Sequence, residues 1–160
     1  MTVNLQPGDP APDFNMPGDG GPVALTALKG RTVVLYFYPK DDTPGCTTEA
    51  QGFTAAAAEF TAAGAVVVGV SKDTVAKHGK FRAKYTLSPL LGSDADGDVV
   101  ERYGAWVEKS LYGRQYMGIE RCTFLIDAAG VVRRVWRKVK VKGHAADVLE
   151  AARALQFRPH

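Results

Sequence analysis

Two strand-like runs flank a helical segment in the first half of the chain, and this order restricts the fold more than any other feature. Residues 33–38 are apolar without alternation, which is typical of a strand covered on both faces. Residues 65–70 form a second such run, and between the two runs apolar residues repeat at helical spacing over residues 47–63. A strand, a helix and a strand in this order predict a right-handed parallel crossover.

The second half of the chain predicts a different unit. Residues 75–85 predict a second helix, residues 90–91 a short strand and residues 97–103 a short helix. A hairpin of residues 122–127 and 131–141 then precedes a closing helix over residues 144–155. A parallel βαβ half followed by an antiparallel ββα half predicts a thioredoxin-like fold, an α/β fold with a central mixed β-sheet flanked by helices.

The first thirty residues are rich in proline and glycine. Each proline fixes φ and lacks an amide hydrogen, so we expect no regular helix there. Short edge strands around Phe14 and residues 23–25, joined by a turn at residues 18–21, predict an N-terminal β-hairpin extension.

Length and composition exclude several classes of protein. The chain has 160 residues, 46% hydrophobic and 23% charged, which predicts a single globular domain over residues 1–160. The net charge of +3 does not indicate nucleic acid as an obligate partner, and the longest apolar stretch is too short to span a membrane. Residues 1–14 lack the pattern of a secretory signal, and two distant cysteines form no disulfide framework, so we expect a cytoplasmic protein.

Two segments of the second half bear on possible partners. Residues 104–118 predict a loop whose aromatic side chains fit a docking surface, a lid or the core: Trp106, Tyr112 and Tyr116. Six basic residues and no acidic residue lie between Asp127 and Asp147: Arg133, Arg134, Arg137, Lys138, Lys140 and Lys142. The three lysines alternate with valines, which predicts one solvated face of a strand rather than a nucleic-acid site.

The segment after the first predicted strand has the features of a reactive thiol site. Thr43 suits the N-cap of a helix, Pro44 its first position, and Cys46 then falls at the third. A thiol there faces unpaired amides and the positive end of the helix dipole, and both favour the thiolate. The residues alone leave a second interpretation open, a buried structural cysteine near a helix cap.

Other cysteine chemistries require partners that the sequence lacks. A phosphatase loop needs arginine where this chain has Gly52, and a dithiol oxidoreductase needs cysteine where it has Glu49. The three histidines share no motif with Cys46 and are too few for a metal cluster: His78, His144 and His160. We therefore expect neither a metal nor another cofactor.

The spacing of three residues resembles the signature of the peroxiredoxins. Pro39, Thr43 and Cys46 match the pattern P-x-x-x-T-x-x-C, and the string around them is similar to the bacterioferritin-comigratory (PrxQ) branch of that family. The resemblance covers nearly the whole chain. Further matches lie in residues 7–14, 103–104, 112–114, 118–121, 123–127 and 139–144, and in the second predicted helix at His78, Phe81, Lys84 and Tyr85. It implies thiol-dependent reduction of hydrogen peroxide and organic hydroperoxides, with Cys46 as the nucleophile.

The same resemblance implies roles for four more residues. Arg121 matches the family arginine that faces the sulfur, where a guanidinium keeps its charge and donates to the peroxide oxygens. Thr43 is implied to hydrogen-bond the sulfur and the peroxide, and Pro39 to shield the pocket from water. Glu49, one turn into the helix, is implied to orient an arginine, although a surface glutamate would have the same spacing.

The chain departs from the family pattern at the resolving cysteine. Many members of this branch carry that cysteine five positions after the first, where this chain has Gln51, and others place it in the following helix, where residues 75–85 contain none. Cys122 directly follows Arg121 on a predicted strand, so the two side chains should point to opposite faces.

These positions predict a one-cysteine cycle completed by an external thiol, such as thioredoxin, glutaredoxin or a low-molecular-weight thiol. The alternative is a redox sensor or relay, in which oxidised Cys46 passes its oxidation to a partner. The family includes monomers and dimers, and the sequence favours neither state.

Overall fold

The computed structural model of the protein describes residues 4–156, which contain nine strands and six helices. The strands are β1 (Asn15–Met16), β2 (Val23–Ala24), β3 (Thr32–Phe37), β4 (Ala65–Ser71), β5 (Leu90–Ser93), β6 (Trp106–Leu111), β7 (Arg114–Ile119), β8 (Cys122–Ile126) and β9 (Val132–Trp136). The helices are α1 (Leu25–Leu28), α2 (Pro44–Ala55), α3 (Ala57–Ala62), α4 (Val75–Tyr85), α5 (Val99–Arg102) and α6 (His144–Gln156).

Five strands form the central sheet in the order β5-β4-β3-β8-β9. Strand β3 pairs in parallel with β4, where Phe37 lies opposite Val70, and antiparallel with β8, where Phe37 lies opposite Cys122. Strand β5 adds in parallel to β4, and β9 adds antiparallel to β8. The predicted thioredoxin-like mixed sheet is confirmed, and β3 is its central strand because its residues are apolar on both faces.

Each face of the sheet carries its own apolar core, and alternate residues of β3 belong to different cores. Val33, Leu35 and Phe37 face the core that also contains Phe14 and the strand β8 residue Cys122. The other core lies between the sheet and helices α2, α3, α4 and α6, with these members among others: Val34, Tyr36, Tyr38, Cys46, Phe53, Phe60, Phe81 and Val148. The two cysteines of the chain therefore lie on opposite faces of the sheet.

Helix boundaries follow the predictions in part. Helix α4 spans the predicted residues, but the single helix predicted over residues 47–63 is wrong, because the chain breaks at Ala56 into α2 and α3. The Thr54 hydroxyl donates to the Ala50 carbonyl at 2.8 Å and accepts from the Ser88 amide at 3.1 Å. Such back-bonding often bends helices, and Thr54 lies two residues before Ala56, which separates α2 from α3.

The N-terminal hairpin β1–β2 is confirmed, and it is followed by a short helix that was not expected. Helix α1 is one turn long and begins after Pro22, the last proline of that region. The prolines therefore exclude helix only up to Pro22.

Residues 104–118 are not the predicted loop, because β6 and β7 form a two-stranded hairpin. The turn residues Tyr112 and Gly113 both have positive φ, 52° and 78°, as hairpin turns of two residues require. Tyrosine is rare in that conformation, so the sequence lacked the usual signal. Tyr112 is 96% exposed and Tyr116 is 46% exposed, so neither belongs to the core.

Strand β9 ends at Trp136, five residues before its predicted end. Lys138 has φ 49°, which an extended strand does not allow, and the amide of Val139 donates to the Arg121 carbonyl at 2.9 Å. The prediction that Lys138, Lys140 and Lys142 share one face of a strand is therefore wrong, and they lie exposed in a loop that borders Arg121. No helix within residues 4–156 is long and apolar enough to cross a lipid bilayer.

Candidate active site

Cys46 lies at the start of α2, just beyond the carboxyl end of β3. Thr43 has the extended backbone of an N-cap, Pro44 is the first helical residue, and the Thr47 amide donates the first helical hydrogen bond to the Thr43 carbonyl at 2.9 Å. Cys46 is 1% exposed. The sulfur therefore sits in the first turn of the helix, where backbone amides have no carbonyl partner within the helix.

Arg121 connects the sulfur to a buried carboxyl group. Its Nη2 atom lies 3.3 Å from Cys46 Sγ, and its Nη1 atom donates to Glu49 Oε1 at 2.7 Å. Glu49 stands one turn after Cys46, so both face Arg121 from the same side of α2. Gly45 permits this approach, because a Cβ atom there would lie 3.1 Å from Arg121 Nη2.

The charges of this cluster are set by burial and by contact. Burial raises the pKa of Glu49 to about 7, against the opposing effect of Arg121. Burial disfavours the charge of Arg121, but Glu49 and Cys46 together raise its pKa above the usual value. The guanidinium thus stays cationic beside the sulfur, and the second Glu49 oxygen, Oε2, is buried without a hydrogen-bond partner in the described part of the chain.

The structure brings together three of the five predicted site residues, Cys46, Arg121 and Glu49. The Thr43 hydroxyl donates to the Lys40 carbonyl at 2.8 Å, and no hydrogen bond joins it to the sulfur within residues 4–156. Pro39 follows the end of β3 and is exposed. Thr43 and Pro39 therefore both precede Cys46 in the chain, and within residues 4–156 neither makes a hydrogen bond to its sulfur.

Two further polar groups lie close to this segment, and the sequence did not assign them to it. Asp41 is buried and contacts His78 of α4, which is fully buried. The available signal in the sequence was the position of His78, three residues before Phe81 and so on the same inner face of the predicted helix. Their separation of 37 positions along the chain hides the contact from any local pattern.

Cys122 occupies a different environment. It is 0% exposed, lies in the core on the other face of the sheet, and makes no hydrogen bond through its sulfur to the residues the structure describes. Burial raises the pKa of its thiol to about 12. No group of three or more histidine, cysteine, aspartate or glutamate side chains in residues 4–156 is placed to hold a metal ion.

The fold and the site define a thioredoxin-like protein with a buried thiol at a helix start. The family model described as the AhpC/TSA family matches residues 7–135. Peroxiredoxin Bcp of Bacillus subtilis is 48% identical over 151 residues, which cover 94% of this chain and 95% of that protein. Peroxiredoxin Bcp of Escherichia coli is 44% identical over 146 residues, covering 91% and 94%.

A solved structure of Xanthomonas campestris Peroxiredoxin Q superimposes with a TM-score of 0.85 at 46% identity, over 89% of this chain and 91% of that chain. The chain belongs to the AhpC/TSA family and, within it, to the Bcp/PrxQ peroxiredoxins, which are thiol-dependent hydroperoxide reductases. The family resemblance of the sequence is confirmed.

Proposed function

We propose that the protein reduces hydroperoxides in a one-cysteine cycle, with Cys46 as the peroxidatic residue and an external thiol as the resolving partner. The observation that carries this proposal is the Arg121 guanidinium, which lies 3.3 Å from the Cys46 sulfur and is held by Glu49 at 2.7 Å. A permanent cation at that distance stabilises negative charge on the sulfur and on an oxygen that leaves it.

In the first step, the Cys46 thiolate attacks the distal oxygen of the hydroperoxide. A sulfur–oxygen bond forms, the oxygen–oxygen bond breaks, and its electron pair leaves with the proximal oxygen, which takes up a proton to give an alcohol or water. Cys46 becomes a sulfenic acid. Arg121 stabilises the charge on the departing oxygen, while Glu49 keeps the guanidinium oriented.

Thr43 and Pro39 complete the pocket in this proposal. The Thr43 hydroxyl donates to the Lys40 carbonyl, so its lone pairs remain as acceptors for the hydrogen of a hydroperoxide. Pro39, between β3 and α2, limits the access of water to the thiolate. The support for Thr43 is its place at the N-cap of the helix that carries Cys46, and the support for Pro39 is its place in the segment between β3 and that helix.

In the second step, a thiol of the reductant attacks the sulfenic sulfur, and water leaves as a mixed disulfide forms. A second thiol then attacks that disulfide, which releases Cys46 and the oxidised reductant. The environment of Cys122 supports an external resolver, because a disulfide needs close and converging Cβ atoms and this thiol lies on the opposite face of the sheet. Thioredoxin, glutaredoxin and low-molecular-weight thiols, all present in a reducing cytoplasm, have the required chemistry.

Intact mass spectrometry of the protein treated with hydrogen peroxide tests the cycle. Without a thiol, we expect additions of about 16 and then about 32 Da, both located at Cys46, as the sulfenic acid proceeds to sulfinic acid. With dithiothreitol, the unmodified mass should persist while many equivalents of peroxide are consumed. A loss of two hydrogens through a Cys46–Cys122 disulfide would contradict the one-cysteine cycle, and a single stoichiometric oxidation without turnover would favour the relay.

The variant Gln51→Cys tests the same proposal by introducing an internal cysteine where many relatives carry the resolving one. Gln51 is exposed on α2, five positions after Cys46, so the two side chains do not share a helix face. We expect the introduced thiol to form a disulfide with oxidised Cys46 after the first turns of α2 unwind, and thereby to prevent the gain of about 32 Da. Gln51→Ser is the matched control and should overoxidise like the unmodified protein.

A further inference from the structure

A buried polar network lies beside the active-site segment, and the proposed cycle does not use it. Its members are Tyr38 at the end of β3, Asp41 in the segment before α2, and His78 in α4, and they are 1%, 8% and 0% exposed. Removing such groups from water is unfavourable unless they are hydrogen-bonded to one another. The hydrogen bonds among these three side chains and to their neighbours therefore identify the segment that the network holds in place.

Both ring nitrogens of His78 have a hydrogen-bond partner. Its Nε2 atom lies 2.9 Å from the Gly92 carbonyl oxygen, which only accepts, and its Nδ1 atom lies 2.6 Å from Asp41 Oδ2. Tyr38 donates to the other Asp41 oxygen at 2.5 Å. Burial lowers the pKa of His78, but the contacts with Asp41 and Gly92 outweigh burial and raise it above the usual value, which favours an imidazolium ring paired with an ionised Asp41.

This ion pair fixes the segment that leads into α2. The Asp41 amide donates to Asp73 Oδ2 at 2.8 Å, so the side chain and the backbone of Asp41 are both held. The next residue, Asp42, has φ 59° and accepts from Lys84 Nζ at 2.9 Å and from Tyr85 Oη at 2.7 Å. Positive φ is unfavourable for aspartate, and these contacts with α4 keep it there. Helix α2 starts two residues later.

Cys46 needs this segment in two different states. A hydroperoxide is small enough to meet the sulfur in the closed site, where the residue is 1% exposed. A reductant that carries its thiol on a larger body cannot bring that sulfur within bonding distance unless the start of α2 and the segment before it move. The contacts of Asp41 oppose that movement.

We propose that His78 is a positioning residue that, through Asp41, holds residues 39–43 closed so that Cys46 faces Arg121, and whose release exposes Cys46 to larger thiols. The inference rests on the proposed function, because it assigns the contact that governs access of the external thiol to the same sulfur.

Two variants of His78 separate its two hydrogen bonds. The amide nitrogen of asparagine lies near the position of Nδ1, so His78→Asn keeps a donor for Asp41. The amide nitrogen of glutamine reaches the position of Nε2, so His78→Gln keeps a donor for Gly92 and loses the contact with Asp41. Both side chains are neutral, which makes them matched for loss of charge.

Two rates are measured for each variant, the oxidation of reduced Cys46 by hydrogen peroxide and its alkylation by a bulky maleimide without peroxide. For His78→Gln, we expect oxidation to slow and alkylation to accelerate, each by about tenfold, since a hydrogen bond to a charged group is lost. His78→Asn should change both rates by a smaller factor. Should His78→Gln fail to fold, Asp41→Asn, which weakens the same pair, should shift the two rates in the same directions.

Val132→Ala controls for general loss of stability, because Val132 is fully buried in the core on the other face of the sheet. It should lower the urea midpoint without accelerating alkylation. Equal effects of His78→Asn and His78→Gln, or alkylation that simply follows stability in all variants, would overturn the positioning role. If the unmodified protein fails to consume peroxide, the proposed function is wrong, while the alkylation rates still report on His78.

Discussion

Cys46 and Cys122 are equally hidden from solvent, at 1% and 0% exposure, and each belongs to an apolar core, but the polar groups near the two sulfur atoms differ. Cys46 lies in the first turn of a helix with a guanidinium 3.3 Å from its sulfur. Cys122 is the first residue of β8 and packs in an apolar core, where burial raises the pKa of its thiol to about 12. Burial alone therefore does not describe the environment of a thiol, because nearby charges and hydrogen-bond donors also affect the balance between thiol and thiolate.

The sheet separates these two environments within a short distance along the chain. Arg121 and Cys122 are neighbours in sequence, yet the side chain of Arg121 reaches Cys46 on one face while Cys122 packs against the other. On that other face, Arg137 lowers the pKa of Cys122 without overcoming the effect of burial. Within residues 4–156, Arg137 makes no hydrogen bond to the Cys122 sulfur, whereas Arg121 Nη2 lies 3.3 Å from the Cys46 sulfur.

The largest difference between the two cysteines should appear on substitution by serine. Cys46→Ser removes the nucleophile, so we expect peroxide consumption with dithiothreitol to fall by at least about 10³. Cys122→Ser should retain most of the activity, measured as loss of hydrogen peroxide at equal concentrations of folded protein. Turnover that survives in Cys46→Ser and disappears in Cys122→Ser would reverse the assignment of the two thiols.

The two arginines provide the next comparison. Arg121→Ala should slow the oxidation of Cys46 by about 10²–10³, the usual effect of removing a donor that stabilises a developing charge. Arg121→Lys should recover part of the rate, because it restores the charge but not two donors in a fixed plane. Arg137→Ala is the matched control and should leave the rate unchanged. Stopped-flow oxidation measures all three, and equal rates for Arg121→Ala and the unmodified protein would show that the guanidinium does not act on the sulfur.

Local signals account for what could be predicted from the sequence. The apolar run of β3, the N-cap at Thr43 and Pro44 at the first helical position are all read from neighbouring residues, and they place Cys46 at the start of a helix. The pairing of Arg121 with Cys46, 75 positions apart, came from the family resemblance instead. No periodicity contains that information.

Contacts between distant segments accompany two of the errors, whereas the hairpin over residues 106–119 was missed because of its unusual turn residue Tyr112. Thr54, which accepts from the Ser88 amide, lies just before the break between α2 and α3, and the early end of β9 coincides with the bond from Val139 to Arg121. The contact between Asp41 and His78 likewise joins two segments that neither local pattern relates. In the first two cases, a tertiary hydrogen bond lies where the structure departs from the preference that the local sequence expresses.

The face that holds Cys46 should also respond to acid through a second histidine. Burial lowers the pKa of His144 to about 4, with Arg121 adding to this effect and Asp147 opposing it, and its Nε2 lies 2.8 Å from Thr123 Oγ1. An unfolded histidine titrates near 6.5, so between about 6.5 and 4 the unfolded chain binds the proton and the native protein does not. Stability from this group is complete above that window and is lost as the pH falls through it.

At pH 5 the loss should be about 2 kcal/mol of unfolding free energy relative to pH 7. His144→Gln keeps a polar side chain near Thr123 and does not titrate, so it should show a smaller difference between the two pH values. Urea midpoints at pH 7 and pH 5 measure this, and groups common to both proteins cancel in the comparison. The same pH dependence in both proteins would mean that the pKa of His144 is the same in the native and the unfolded state.

The smallest expected effect concerns Cys122 itself and the apolar character of its surroundings. Cys122→Ala leaves a cavity about the size of one sulfur atom and should lower the unfolding free energy by about 1 kcal/mol, with no effect on the oxidation of Cys46. Cys122→Ser fills more of that space, but it buries a hydroxyl group for which the described residues offer the sulfur no hydrogen-bond partner, and it should therefore cost more than alanine. Urea unfolding of both variants measures which substitution lowers the unfolding free energy more. If serine were the less destabilising of the two, a hydrogen-bonding group would have to lie within reach of position 122. The guanidinium beside Cys46 would then be the remaining difference between the environments of the two thiols.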